Sequence, residues 1–257
     1  MPLLVQCQRV SRFFGEIPVL REVSFNAAGG ELLALRGANG AGKTTLLRIL
    51  AGALRPSLGE VTVGGAPVAS VEARRITGFL SHQSLLHPTL TVMENLEFFA
   101  TLFSLPRPRA AAVQALDQVN GGYLAGRRVG ELSQGMKQKA ALARCLLHQP
   151  RLLLLDEPIA SLDRATVAEM RACLARLRDQ GLTLILSSHQ EEAFAGLTDG
   201  ELTLERGRLL TPAHADSAAP AGGLRGPQAD ASTSGTRGSA SVSAEHAQEP
   251  APSEAMP

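Results

Sequence analysis

The octapeptide Gly37-Ala38-Asn39-Gly40-Ala41-Gly42-Lys43-Thr44 constrains this chain more than any other stretch, because it fits G-x-x-x-x-G-K-[ST], a loop that cradles phosphate. Such a loop works only between a buried strand and a helix. Leu32-Leu33-Ala34-Leu35 supplies the apolar run before it, and Thr45 to Ala51 follows with Leu46, Leu47 and Leu50 on one helical face. Glycines let the backbone N–H groups turn inward around phosphate oxygens, and the helix start behind them adds partial positive charge. Lys43 is placed to reach the outer phosphates, and Thr44 to offer its hydroxyl to Mg²⁺.

The rest of the chain must accommodate that unit. Its 257 residues have room for one large domain with a sub-lobe, and the formal net charge of +1 argues against a surface built for nucleic acid. Cys7, Cys145 and Cys173 lie far apart and make neither a disulfide framework nor a zinc pattern, which fits a reducing compartment. No stretch approaches the roughly 18 to 20 apolar residues of a membrane span, and no signal pattern opens the chain. The expectation is a cytoplasmic protein that meets a membrane only through a partner.

Taken in order, Leu3 to Val10 and Val23 to Ala27 read as strands, with turns around Gly15 and Gly29-Gly30. Glu60 to Val63 and Ile76 to Ser81 are further strands. Between about 90 and 150 the pattern turns helical, over Val92 to Thr101, Ala110 to Asn120 and Gln134 to Leu147, which predicts a helical lobe. Alternation of strand and helix then resumes with Leu152 to Asp156, a helix carrying Val167, Met170, Leu174 and Leu177, and Thr183 to Ser187. The fold expected is α/β: a P-loop domain with a mostly parallel central sheet, an N-terminal antiparallel β region and a helical lobe, over residues 1–210. Residues 211–257 are rich in Ala, Ser, Gly and Pro and read as a disordered tail.

Two further elements carry chemistry. Four leucines run into Asp156-Glu157, a strand-end aspartate suited to Mg²⁺ followed by a second carboxylate placed to polarise water, which makes hydrolysis the expected reaction. Leu132-Ser133-Gln134-Gly135-Met136-Lys137-Gln138 puts a serine hydroxyl and a glycine N–H at a helix start, an anion site. This last stretch resembles the L-S-G-G-Q signature of the ATP-binding-cassette (ABC) ATPases. The remainder of that family's set follows in the family's order: Gln83 at the Q-loop, Ser161-Leu162-Asp163 at the D-loop and His189 at the switch histidine. Phe14 matches the aromatic that stacks on adenine, as phenylalanine in place of the usual tyrosine. Two departures stand out, Gln134 for the first signature glycine and Lys139 for the usual arginine, and neither removes Ser133 or Gly135.

The resemblance covers residues 3 to 210 and implies specific roles. Asn39, Gly40, Ala41, Gly42, Lys43, Thr44 and Thr45 bind the phosphates of ATP; Thr44, Asp156 and Gln83 serve Mg²⁺; Glu157 is the catalytic base, with His189 and Gln83 at the γ-phosphate. Ser133 and Gly135 close on nucleotide held by a second subunit, so that two ATP molecules are sandwiched between two cassettes. The implied partners are that second cassette and a separate membrane permease, which would seat the protein at the inner face of the cell membrane. His82-Gln83, Leu90 to Leu96, His189-Gln190 and a cassette stopping near Leu210 further resemble the ATPases of cytochrome c maturation haem exporters, so export of haem, or of a lipid, drug or peptide, is the expected work. ABC ATPases that act on ribosomes or chromosomes lack a permease, but usually carry tandem cassettes or a long coiled coil. A P-loop kinase would not account for the signature, Glu157 or His189.

Overall fold

The computed structural model describes residues 2–81 and 83–210; His82 and the tail predicted over 211–257 lie outside the described residues. The chain opens with a long antiparallel pair, β1 (Leu3–Phe14) and β2 (Ile17–Ala28), joined at Gly15, whose φ of 59° suits the turn. Both strands run well beyond the predicted segments. Arg9 and Glu22 take positive φ, and the register shifts at these bulges break the alternation that marks a strand in sequence. β3 (Leu32–Arg36) and α1 (Lys43–Leu50) flank the glycine-rich loop, as its motif requires.

β4 (Leu58–Val63) returns to pair with β1 and with the short β5 (Ala66–Pro67), giving a four-stranded sheet ordered β2-β1-β4-β5. A short helix, α2 (Val71–Arg75), leads to β6 (Thr77–Leu80). Three helices then intervene before the sheet resumes, α3 (Val92–Leu102), α4 (Pro108–Gln118) and α5 (Gln134–Leu146). Their starts follow local chemistry. Thr91 and Glu94 form a reciprocal capping box on α3, Pro108 opens α4, and the Ser133 hydroxyl accepts from the Met136 amide to cap α5.

β7 (Leu152–Asp156), α6 (Arg164–Asp179), β8 (Thr183–Ser187), β9 (Gly200–Glu205) and β10 (Arg208–Leu209) complete the described chain. The second sheet runs β10-β9-β3-β8-β7-β6, parallel throughout except for β10. Sequence reading had no strand after Ser187, although Leu202 and Leu204 alternate with Glu201, Thr203 and Glu205 in the manner of one.

Consecutive leucines in these strands serve opposite faces. Leu33, Leu35, Leu152, Leu154 and Ile185 join a core with α1 and the antiparallel sheet. Leu32, Leu153, Leu155, Leu184 and Leu186 join another with α3, α4, α5 and α6. Because both faces of β7 and β8 are covered, every residue in them is buried, and the run of four leucines is the consequence. All the parallel strands point their carboxyl ends the same way, with Leu35 and Asp156 both in register with Ser187, so whatever follows β3, β7 and β8 gathers on one rim.

Candidate functional site

That rim carries the glycine-rich loop. Gly37, Gly40 and Gly42 have φ of 140°, 80° and 108°, and a Cβ at Gly37 would lie 2.3 Å from Leu204 O. Gly42 caps α1 without a side chain, and Leu46 N–H, bonded to Gly42 O at 2.9 Å, is the amide with which the helix ladder begins. The amides before it face out of the helix start, the arrangement that binds anions. Lys43 is buried. Its Nζ donates to Gly37 O at 2.7 Å and Ala38 O at 3.2 Å, and among the described residues no carboxylate pairs with it. A buried cation held only by carbonyls keeps an unbalanced charge directed at the loop.

Opposite stand the carboxylates. Thr44 Oγ1 donates to Asp156 Oδ1 at 3.1 Å, and Ser187 Oγ to the same oxygen at 2.8 Å. These are hard oxygen groups in contact and few in number, which suits Mg²⁺, an ion that keeps most of its water. Glu157 follows with φ of 54°, a left-handed backbone for a residue with a Cβ, held by its amide donating to Ser187 Oγ at 3.1 Å. Its Oε2 accepts from the His189 amide at 3.2 Å. His189 Nε2 lies 3.2 Å from Oε1 but off the hydrogen-bond direction, so Oε1 is buried without a partner. The carboxylate at the edge of the phosphate loop therefore keeps one oxygen that lacks a hydrogen bond and lies against the His189 ring.

Val19, Asn39, Gly40, Gly42, Lys43, Thr44, Thr45, Glu157 and His189 line one cleft of about 350 Å³. Ala41 turns inward and is buried, its amide donating to Ala38 O. Gln83 lies just beyond β6, beside the strand that ends in Asp156; its side chain is exposed and its carbonyl accepts from Ser81 Oγ. Phe14 is 48% exposed at the tip of the β1–β2 pair, with the Arg12 guanidinium 4.7 Å over its ring.

Ser133 and Gly135 are not part of this cleft. Ser133 is exposed at the start of α5, and Gly135 packs against α6, where a Cβ would come within 2.6 Å of Thr166 Cγ2. Asp163 caps α6 through the Thr166 amide and hydroxyl, after Ser161 at φ of 61°. Lys139 forms an ion pair with Glu169 at 3.0 Å, its ammonium 5.5 Å from the Tyr123 ring. Ser187, which fixes both Asp156 and Glu157, escaped the sequence reading because a serine ending an apolar strand carries no signal of its own. The three cysteines are free and buried, and burial pushes the Cys7 thiol up to about 12.

A buried cation in a glycine-rich loop, facing carboxylates at the carboxyl rim of a parallel sheet, defines the class of P-loop nucleotide-binding domains. The family described as ABC transporter matches residues 20–160, and the chain belongs to that family, whose ATP-binding domains couple ATP hydrolysis to transport. The aliphatic sulfonates import ATP-binding protein SsuB of Pseudomonas entomophila is 42% identical over 199 residues, 77% of this chain and 72% of that protein. The sulfate/thiosulfate import ATP-binding protein CysA of Yersinia pseudotuberculosis is 35% identical over 215 residues, 80% of this chain but only 59% of its own length. Among solved structures, the dimeric post-hydrolysis state of the ATP-binding cassette MJ0796 bound to ADP and Pi superposes with a TM-score of 0.72 at 27% identity, over 81% of this chain and 97% of that one. Among the described residues no helix is long and apolar enough to cross a membrane.

Proposed function

We propose that this chain is the ATP-hydrolysing motor of a membrane transporter, with Glu157 as base and a separate permease as the part that moves cargo. The observation that carries the reading is the single cleft in which Lys43, Thr44, Glu157 and His189 converge, with Glu157 Oε1 beside the His189 ring and without a hydrogen bond of its own. Lys43 and the amides of the loop and helix start hold the β- and γ-phosphates. A water hydrogen-bonded to Glu157 attacks the γ-phosphorus; the new O–P bond forms as the bond to the β-phosphate oxygen breaks, the proton passes to the Glu157 carboxylate, and ADP leaves with the electron pair. His189 orients the γ-phosphate. The Thr44 hydroxyl and Asp156 are the groups that would hold Mg²⁺, which would supply positive charge to the phosphates.

The remaining roles rest on the matched motifs. Ser133 and Gly135 complete the site of a second cassette, Gln83 relays the state of the γ-phosphate, and Phe14 stacks on the adenine. The protein would then sit against the cytoplasmic side of a membrane. Export, and haem as its cargo, find no support in the named relatives, which import sulfonates and sulfate or thiosulfate. Those relatives favour import of a small oxyanion as the cargo reading. Purifying the tagged full chain from its own membranes tests the whole proposal: a polytopic membrane protein should accompany it, and ribosomes or DNA without one would overturn the transporter reading.

A further inference from the structure

β6 ends the six-stranded sheet, so among the described residues one side of it has no strand to bond. Ile76 O accepts from the Arg151 and Leu152 amides on the β7 side, and alternation along the strand turns the carbonyls of Thr77 and Phe79 to the open edge. Side chains of α5 meet both. Arg144 Nη2 and Cys145 Sγ each donate to Phe79 O at 3.2 Å, and His148, just past the helix, places Nε2 3.1 Å from Thr77 O. The helix can approach this closely because residue 78 is glycine: a Cβ there would lie 2.7 Å from Cys145 O. Burial raises the Cys145 thiol, against the opposing pull of Arg144, which keeps it an S–H donor.

Arg144 is the unexpected member. It is 6% exposed, its guanidinium lies 5.2 Å over the Phe99 ring of α3, its Nε has no partner, and among the described residues no carboxylate pairs with it. Burying an unpaired cation costs stability, and an apolar side chain of similar volume often serves a fold as well or better. Packing alone therefore does not account for an arginine here.

We propose that Arg144, Cys145 and His148 fasten α5 to β6, so that Ser133 at the start of the helix and Gln83 just past the strand change position together, with Arg144 as the positioning residue. This rests on the roles given above to Ser133 and Gln83. It assigns the arginine to turnover, through groups it does not touch, and gives the open edge of β6 a use: the strand is pinned to the one helix whose start must meet a second cassette.

The test compares phosphate release and thermal melting of the full chain with those of Arg144→Met and Arg144→Lys. In Arg144→Met the melting temperature should hold or rise and the KM for ATP stay within about twofold, while kcat falls by on the order of tenfold to a hundredfold. Lysine, which keeps the charge and a donor, should restore part of the loss. An Arg144→Met protein with the parent's kcat overturns the proposal, and so does a melting temperature that falls in step with activity. Should that variant not fold, Cys145→Ala removes one donor to the same carbonyl at little change in volume; lower kcat at constant melting temperature supports the clamp, and unchanged kcat overturns it. A parent protein that releases no phosphate from ATP would overturn the motor reading and the clamp with it, whereas hydrolysis by the parent beside an equally active Arg144→Met overturns the clamp alone.

Discussion

At the scale of single residues, the proposed site separates holding nucleotide from cleaving it. Lys43 is buried inside the loop and Glu157 lines the same cleft from just beyond β7, so replacing each should have a different effect. Glu157→Gln should lower phosphate release by at least about a hundredfold while leaving ATP affinity, measured by titration calorimetry, within a few-fold. Lys43→Ala should weaken ATP binding itself, and normal affinity in that variant would contradict the phosphate-loop assignment. These residues were legible in sequence because each belongs to a contiguous run whose spacing has a mechanical reason. Ser187 was not legible, although it bonds Asp156 and anchors the Glu157 amide, since its partners lie 31 and 30 residues away and meet it only through strand register.

At the scale of elements, what could be read depended on how each segment is buried. β3, β7 and β8 are covered on both faces and announce themselves as apolar runs; β1 and β2 are half-covered and bulged at Arg9 and Glu22, so their outer halves were lost. The seam between α5 and β6 was invisible for another reason, because it is built from side chains reaching carbonyls and from one missing Cβ. Gly78→Ala should cost about 1–3 kcal/mol in urea unfolding, since the added methyl meets backbone oxygen rather than a side chain that can move away. His148 lies on the same seam, where burial first, and the Arg144 charge in addition, hold its pKa below the usual value, against the opposing effect of its bond to Thr77 O. A lowered histidine makes the unfolded chain the better proton acceptor, so the stability it contributes is present above about pH 6.5 and lost as pH falls through its folded value. Melting should therefore drop between pH 7.5 and 5.5, and His148→Phe should flatten that slope.

At the scale of the whole molecule, one sheet separates two cores, one beneath the antiparallel strands and one among the helices, while the rim between them carries the proposed site. In the Glu157→Gln protein, ATP with Mg²⁺ should convert monomer to dimer in analytical ultracentrifugation, and ADP should not. A dimer that forms equally without nucleotide would separate assembly from the site. The fold was legible at this scale because the phosphate loop admits few surroundings. The pairing of cassettes follows from matched motifs, since nothing in one chain's periodicity speaks of a second.

Ser133 and Gly135 stand apart from the cleft that holds Lys43 and Glu157. On the roles proposed for them, each copy would own half of two reaction centres and the whole of none. Its rate law should betray this: phosphate release per molecule should climb with protein concentration before levelling off, and a sufficiently dilute solution should bind ATP while leaving it intact.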